Sequence, residues 1–235
     1  MTEIITKEQA TKLIKKYEYL KENNYNFYNE LAKMDNKGKG INEACHSKII
    51  AHLLNAKNNE CAQYYFLKNF IKFLENLNEY RMHKFMKLFT NDLIVETEYN
   101  INSNKKIDIF MYSKNASFVC VIENKIDGEV GKDQLKTYSD FINNSPDFSN
   151  YKHKHFVYLR RYLDKKTSSD NVQISENNYQ EMEYSDIAKM IDSNVLGNCE
   201  NEKMHFNILQ YKEFLDLYWY ETIDGMWVEK LREMI

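Results

Sequence analysis

The chain has 235 residues, 43% of them hydrophobic and 29% charged, with a formal net charge of -3. That suits one globular domain, or a core with an accessory region, and excludes disordered and collagen-like classes. Without a global basic signature, any contact with nucleic acid must rest on a local patch.

Cys45, Cys61, Cys120 and Cys199 have no Cys-x-x-Cys spacing, which favours reduced thiols in a cytoplasm over disulfides or zinc. No apolar run approaches about 18 residues and the first ten residues are no signal peptide, so the chain is expected in the cytosol, off the membrane.

In chain order, Thr6 followed by Gln9 makes a capping-box pattern ahead of Ala10, Leu13, Ile14, Tyr17 and Leu20. Their helical spacing predicts a helix to about residue 33. Residues 35–40, DNKGKG, break it. No strand precedes GKG and no Gly-Lys-Ser/Thr follows, so it reads as a turn rather than a phosphate loop. Asn42 then caps a helix whose buried side is Ile49, Ile50, Leu53 and Leu54.

Glu43 lies in the first turn of that helix, where the dipole favours a carboxylate with or without a chemical task. His46, three residues on, either approaches phosphates or is a hydrogen-bonded structural histidine. Residues 59–89 are helical and rich in aromatics, which marks core. Lys68, Lys72, Arg81, Lys84 and Lys87 there are solvated charges or the border of a groove. Residues 92–99 read as the first core strand, with Glu96 and Glu98 as minor site candidates.

Two apolar runs, 107–112 and 118–126, flank the polar Ser113-Lys114-Asn115-Ala116-Ser117, a hairpin signature. On the second strand Val119, Val121, Glu123 and Lys125 share one face, so a carboxylate and an ammonium continue an apolar stripe. Buried charge needs partners. If Asp108 pairs across the hairpin onto that face, two carboxylates meet and require a cation, which a hard divalent metal held by oxygen ligands supplies. Lys125 could then orient and help deprotonate a metal-bound water or neutralise charge developing on phosphorus. By itself a Glu-x-Lys also reads as an ion pair on a solvated sheet face. The next helix, about 132–143, stops before the sole proline, Pro146, and places Gln134 and Tyr138 on one face.

Asp108, then Glu123-Asn124-Lys125 on a hydrophobic strand, then Gln134-Leu135-Lys136-Thr137-Tyr138 on the following helix, resembles the PD-(D/E)XK nuclease superfamily. The Gln-x-x-x-Tyr element looks like that of its RecB-like branch. Ile107 stands where the usual proline precedes the aspartate. Upstream, Asn42-Glu43-Ala44-Cys45-His46-Ser47 with Leu53-Leu54-Asn55 looks like the first core helix of such proteins, whose glutamate faces the metal site. The resemblance implies Mg²⁺ or Mn²⁺ on Asp108 and Glu123, with the Asn124 carbonyl as a further ligand. It also implies that Lys125 positions the nucleophilic water, Glu43 assists the metal, and Gln134 with Tyr138 steadies the site.

Beyond the helix, residues 151–166 form the most basic window, with a strand centred on 156–159. Lys154, Arg160 and Arg161 there are candidate contacts to a phosphate backbone. Residues 164–178 read as a loop, 181–184 as a short strand, and Ser185 as N-cap of a helix over 186–195. Residues 200–235 are helical, with Phe206, Leu209, Phe214, Leu217, Trp219 and Trp227 as packing material or a homodimer surface.

The expected fold is therefore α/β or α+β: a mixed four- to five-stranded sheet with helices on both sides. A restriction-endonuclease-like core over 41–195 would lie between a helical extension, 1–40, and a helical cap, 196–235. The expected function is metal-dependent hydrolysis of nucleic acid, most readily DNA, in phage defence or DNA maintenance. The alternative is a non-catalytic module that kept the fold and binds nucleic acid or a protein.

Overall fold

The computed structural model describes residues 7–8, 11–12, 14–15, 28, 41–56, 61–75, 77–102, 105–126, 128–161 and 167–222, with side chains to 216. Most of the expected N-terminal helix, the break at 35–40, Asp127 of the turn after the hairpin, and the side chains of Leu217, Trp219 and Trp227 lie outside these residues.

Among the described residues there are eight helices and five strands. They are α1 (Glu43–Leu54), α2 (Ala62–Leu74), α3 (Glu79–Phe89), β1 (Ile94–Asn102), β2 (Lys105–Ser113), β3 (Phe118–Lys125) and α4 (Gln134–Asn144). There follow β4 (His153–Arg160), α5 (Ser168–Glu176), β5 (Gln180–Glu183), α6 (Tyr184–Met190), α7 (Ser193–Gly197) and α8 (Glu202–Thr222). The strands lie side by side in chain order. β1, β2 and β3 pair antiparallel, whereas β3 to β4 and β4 to β5 are parallel. The hairpin accounts for the first relation. The crossovers through α4 and α5 account for the second, since a parallel pair needs a connection long enough to return the chain.

Each face of the mixed sheet has its own apolar layer. Ile109, Met111, Cys120, Ile122, Val157, Leu159 and Met182 pack under α1, α2, α3, α6, α7 and α8, whose contributions run from Ile50 to Leu215. On the other face Phe110, Val119 and Val121 meet Tyr138 and Ile142 of α4. Tyr158 there packs with Leu135, Ile174 and Tyr179. No described helix is long and apolar enough to cross a membrane, and Cys45, Cys61, Cys120 and Cys199 are all free thiols.

Three local expectations are corrected. The segment over 59–89 is two helices, because Asn78 starts a new one by accepting a hydrogen bond from the Arg81 amide. The segment over 164–178, read as loop, contains α5, opened by a capping box in which Thr167 accepts from the Asp170 amide and Asp170 from the Thr167 amide. Ser185 is not the N-cap of the following helix: Glu183 occupies that position, and the helix ends at Met190 before the separate α7.

Asp170 does more than cap. It is fully buried, takes the Val130 amide on Oδ1 at 2.9 Å, and pairs through Oδ2 with Arg160 Nη1 at 2.9 Å. Removing one partner of a buried ion pair costs about 3–5 kcal/mol. Asp170→Ala is accordingly expected to lower the urea midpoint by an amount equivalent to at least ~3 kcal/mol. An unchanged midpoint would mean that the pair contributes nothing to stability.

Candidate active site

The register Ile109↔Ile122 places Asp108 opposite Glu123 at the end of the hairpin, on the face covered by α4. The two carboxyl groups are close enough there to influence one another's ionisation. Asp108 Oδ2 also accepts the Asn124 amide at 2.8 Å, which fixes the aspartate against β3. Two residues on, the Lys125 ammonium donates to Glu123 Oε1 at 2.6 Å and lies 3.8 Å from Glu43 Oε2. Glu43 comes from α1 on the other side of the sheet. It reaches the end of β3 because its Oε1 accepts the Ile126 amide at 3.0 Å.

From α4, Gln134 Nε2 donates to Glu123 Oε1 and lies within hydrogen-bonding distance of the Tyr138 hydroxyl, both at 2.8 Å. That hydroxyl donates in turn to the Lys106 carbonyl, two residues from Asp108. The structure thus brings Glu43, Asp108, Glu123, Lys125, Gln134 and Tyr138 together at one end of β3.

Electrostatically this is a strained group of charges. Glu123 is fully buried, and burial, with Asp108 beside it, pushes its pKa up to about 8 despite Lys125. Asp108 is also raised, by burial first, although the Asn124 amide and Lys125 oppose the shift. Lys125 moves the other way to its own burial: desolvation alone would lower it, but Glu123, Asp108 and Glu43 together hold it above the ordinary lysine value. The ammonium is therefore locked in its charged form.

Among the described residues no hydrogen-bond partner reaches the buried Glu123 Oε2, and in the ionised carboxylate such an acceptor costs about 1–3 kcal/mol unless a cation or a proton occupies it. A hard divalent cation fits the donor set, since Asp108 and Glu123 offer carboxylate oxygens only.

Asn124 contributes differently from its neighbours. Its side chain points to the opposite face, where Nδ2 donates to the Glu43 carbonyl and to Ser47 Oγ, both at 3.0 Å, and Oδ1 accepts from the Tyr184 hydroxyl at 2.6 Å. The amide thereby ties α1 and α6 to the strand that carries the site. Sequence reasoning missed Ser47 and Tyr184, because nothing local relates residues 47, 124 and 184.

The expected nucleic-acid contacts scatter. His46 is fully buried, its Nδ1 2.9 Å from the Tyr211 hydroxyl and its ring stacked on Phe214. Burial first, then the Arg161 charge, lowers its pKa to about 3, so it stays neutral and has no surface to offer a phosphate. Arg160 is also withdrawn from solvent, buried against Asp170 and the Tyr158 hydroxyl. Arg160 is a correction, and of the two readings of His46 the structure favours the hydrogen-bonded structural histidine over the phosphate contact: each side chain is held in the interior by a polar partner from a distant segment.

Lys154 donates to the Ser149 carbonyl at 2.6 Å and pairs in register with Val119, six positions before Lys125, or roughly 20 Å along the strand. Only Arg161 remains next to the cluster, its amide donating to the Lys125 carbonyl at 3.2 Å.

A model of the PD-(D/E)XK nuclease superfamily matches residues 25–213. That span covers the greater part of the chain, and the five-stranded mixed sheet agrees with the restriction-endonuclease-like architecture of these enzymes. The chain belongs to the PD-(D/E)XK nuclease superfamily. No curated protein and no solved structure matched in the two other comparisons.

Proposed function

We propose that this nuclease hydrolyses phosphodiester bonds of DNA with Mg²⁺ or Mn²⁺ held by Asp108, Glu123 and the Asn124 carbonyl. The observation that carries the reading is the buried Glu123 Oε2, without a partner among the described residues, lying in a carboxylate pair beside the Lys125 ammonium. The bound cation would screen the two carboxylates and polarise the scissile phosphate.

The chain's own groups supply the rest. Lys125 would orient the attacking water and help deprotonate it, or neutralise negative charge as it builds on the phosphate oxygens. In the reaction the water oxygen bonds to phosphorus, the bond to the leaving oxygen breaks, and one proton passes from the water to solvent while the leaving oxygen gains another. Glu43 holds Lys125 from the far side and supports the acidic cluster. Gln134 and Tyr138 are positioning residues, fixing Glu123 Oε1 and the strand at Lys106. Their geometry supports placement in the RecB-like branch, and Arg161 is the remaining candidate contact to the nucleic-acid backbone. A cytoplasmic role in phage defence or DNA maintenance suits a nuclease with free thiols.

The test is cleavage of supercoiled, linear and single-stranded DNA, and of RNA, by the purified chain with Mg²⁺, Mn²⁺ or chelator. Metal-dependent cleavage of DNA is expected. No cleavage of DNA under any metal, or cleavage that survives chelation, would overturn the assignment and favour the binding-module alternative. Tyr138→Phe should keep Km for DNA and lower kcat about tenfold, as expected when a support is lost and the reacting groups remain.

A further inference from the structure

A second group of side chains lies on the other face of the sheet. Glu75, the residue at which α2 ends, has an extended backbone that turns its carboxylate toward β4. His153 and His155 alternate with Lys154 and so share one face of that strand. Their register partners are Phe118 and Cys120, whereas Glu123 pairs with Tyr158. The cluster is thus on the face opposite Lys125 and Glu123, about 10 Å or more back along the sheet.

One carboxylate oxygen, Glu75 Oε1, meets both rings, at 2.6 Å from His153 Nδ1 and 2.9 Å from His155 Nε2. The candidate donor atoms all lie within 4.8 Å of one another. Phe85 packs edge-on to the His153 ring at 5.4 Å, and Phe118 lies 5.2 Å from the His155 ring, giving the group an apolar wall. We propose that Glu75, His153 and His155 form a transition-metal site, of the Zn²⁺ class, separate from the nuclease centre, with a fourth position open to water.

Two imidazoles and one carboxylate suit Zn²⁺ or Co²⁺ better than Mg²⁺, which prefers oxygen donors. Bonds of about 2.0–2.1 Å would set the ligand atoms roughly 3.4 Å apart, so the present contacts must open by somewhat under 1 Å. Rotation of the carboxylate allows this. Each ring then moves its hydrogen to its other nitrogen, leaving Nδ1 of His153 and Nε2 of His155 as lone-pair donors.

A bound ion would tie the end of α2 to the start of β4.

The full-length Asp108→Asn protein, stripped with chelator and titrated with Co²⁺, separates this site from the nuclease centre. Expected are one tightly held equivalent, the intense visible band of a four-coordinate nitrogen-ligated ion, and a rise of about 5 °C in Tm on adding Zn²⁺. Adding His153→Ala and His155→Ala should remove all three while circular dichroism stays the same. Absence of the band and of retained Zn²⁺ in the Asp108→Asn protein would overturn the site even if the histidine variants do not fold. A band that survives loss of both histidines would overturn it equally.

Discussion

Exchange of Asp108 for Asn is expected to lower Mg²⁺-dependent DNA cleavage about 10³-fold and, at the same time, to raise the thermal midpoint of the metal-free protein. The two effects share one cause. Asp108 faces Glu123 with both carboxyls raised by burial, so the pair is held together at a cost. An asparagine of the same shape still accepts the Asn124 amide, now at 2.8 Å from the aspartate oxygen, and removes the repulsion that sets in when Glu123 loses its proton, so the gain in midpoint is read at pH 8 and above. Relief of about 1 kcal/mol would raise Tm by roughly 2–4 °C in a chain of this size.

Lys125→Ala should lose cleavage to a similar extent without that gain, because it removes the cation nearest the two carboxylates. Activity assays and thermal melts on the two variants check this. Retention of full activity by either variant would remove that residue from the reaction, and a lower Tm for Asp108→Asn would contradict the repulsive pair.

The second large effect is on stability against pH. Glu123 has its pKa pushed up to about 8 from an ordinary 4.5, chiefly by burial and then by Asp108. Between those two values the native, metal-free protein keeps a proton that the unfolded chain has released. The contribution of Glu123 to stability is therefore complete below about pH 4.5 and is lost as pH rises toward 8, at up to ~1 kcal/mol per pH unit, while His46, lowered to about 3, acts in the opposite sense below its ordinary 6.5, so the glutamine variant is needed as the reference. Asp108 is shifted in the same sense, and Lys125, being raised, adds no opposing slope in this window.

On the proposed reading a divalent cation would take the place of the proton, so saturating Mg²⁺ should restore the midpoint lost at pH 8 and bind more tightly there than at pH 5. A hundredfold excess over Kd corresponds to about 2.7 kcal/mol. Melts of wild type and Glu123→Gln from pH 5 to 8, with and without Mg²⁺, read the effect. A wild-type profile as flat as that of the glutamine variant would show that Glu123 is not held protonated.

The hairpin and α4 were legible because their signals are short-range. Alternation put Glu123 and Lys125 on one face, and a separation of four put Gln134 and Tyr138 on another. Asp108 joined them through a turn of a few residues that fixed the register. Glu43 needed the resemblance, since its approach depends on α1 crossing the end of β3, which no local pattern encodes.

Helix α5 was missed although Thr167-x-x-Asp170 is a capping box, because Val172 and Ile174 alone give it almost no periodicity. The charges of Arg160 and the ring of His46 misled for another reason. A basic or titratable side chain looks solvent-facing in sequence until its distant partner is known, and Asp170 and Tyr211 are those partners.

The Asn124 amide, latched to α1 and α6 behind the sheet, separates two kinds of constraint within three consecutive residues. On the proposed reading, positions 123 and 125 serve the reaction first, so a descendant could replace both and keep its architecture as a silent copy. Position 124 serves assembly through its side chain, and change there would dislodge Glu43 and its helix while leaving Asp108, Glu123 and Lys125 in the sequence. Loss of function can therefore arrive from either direction along this strand, and the two routes leave different traces: one an inert but sturdy molecule, the other a fragile one.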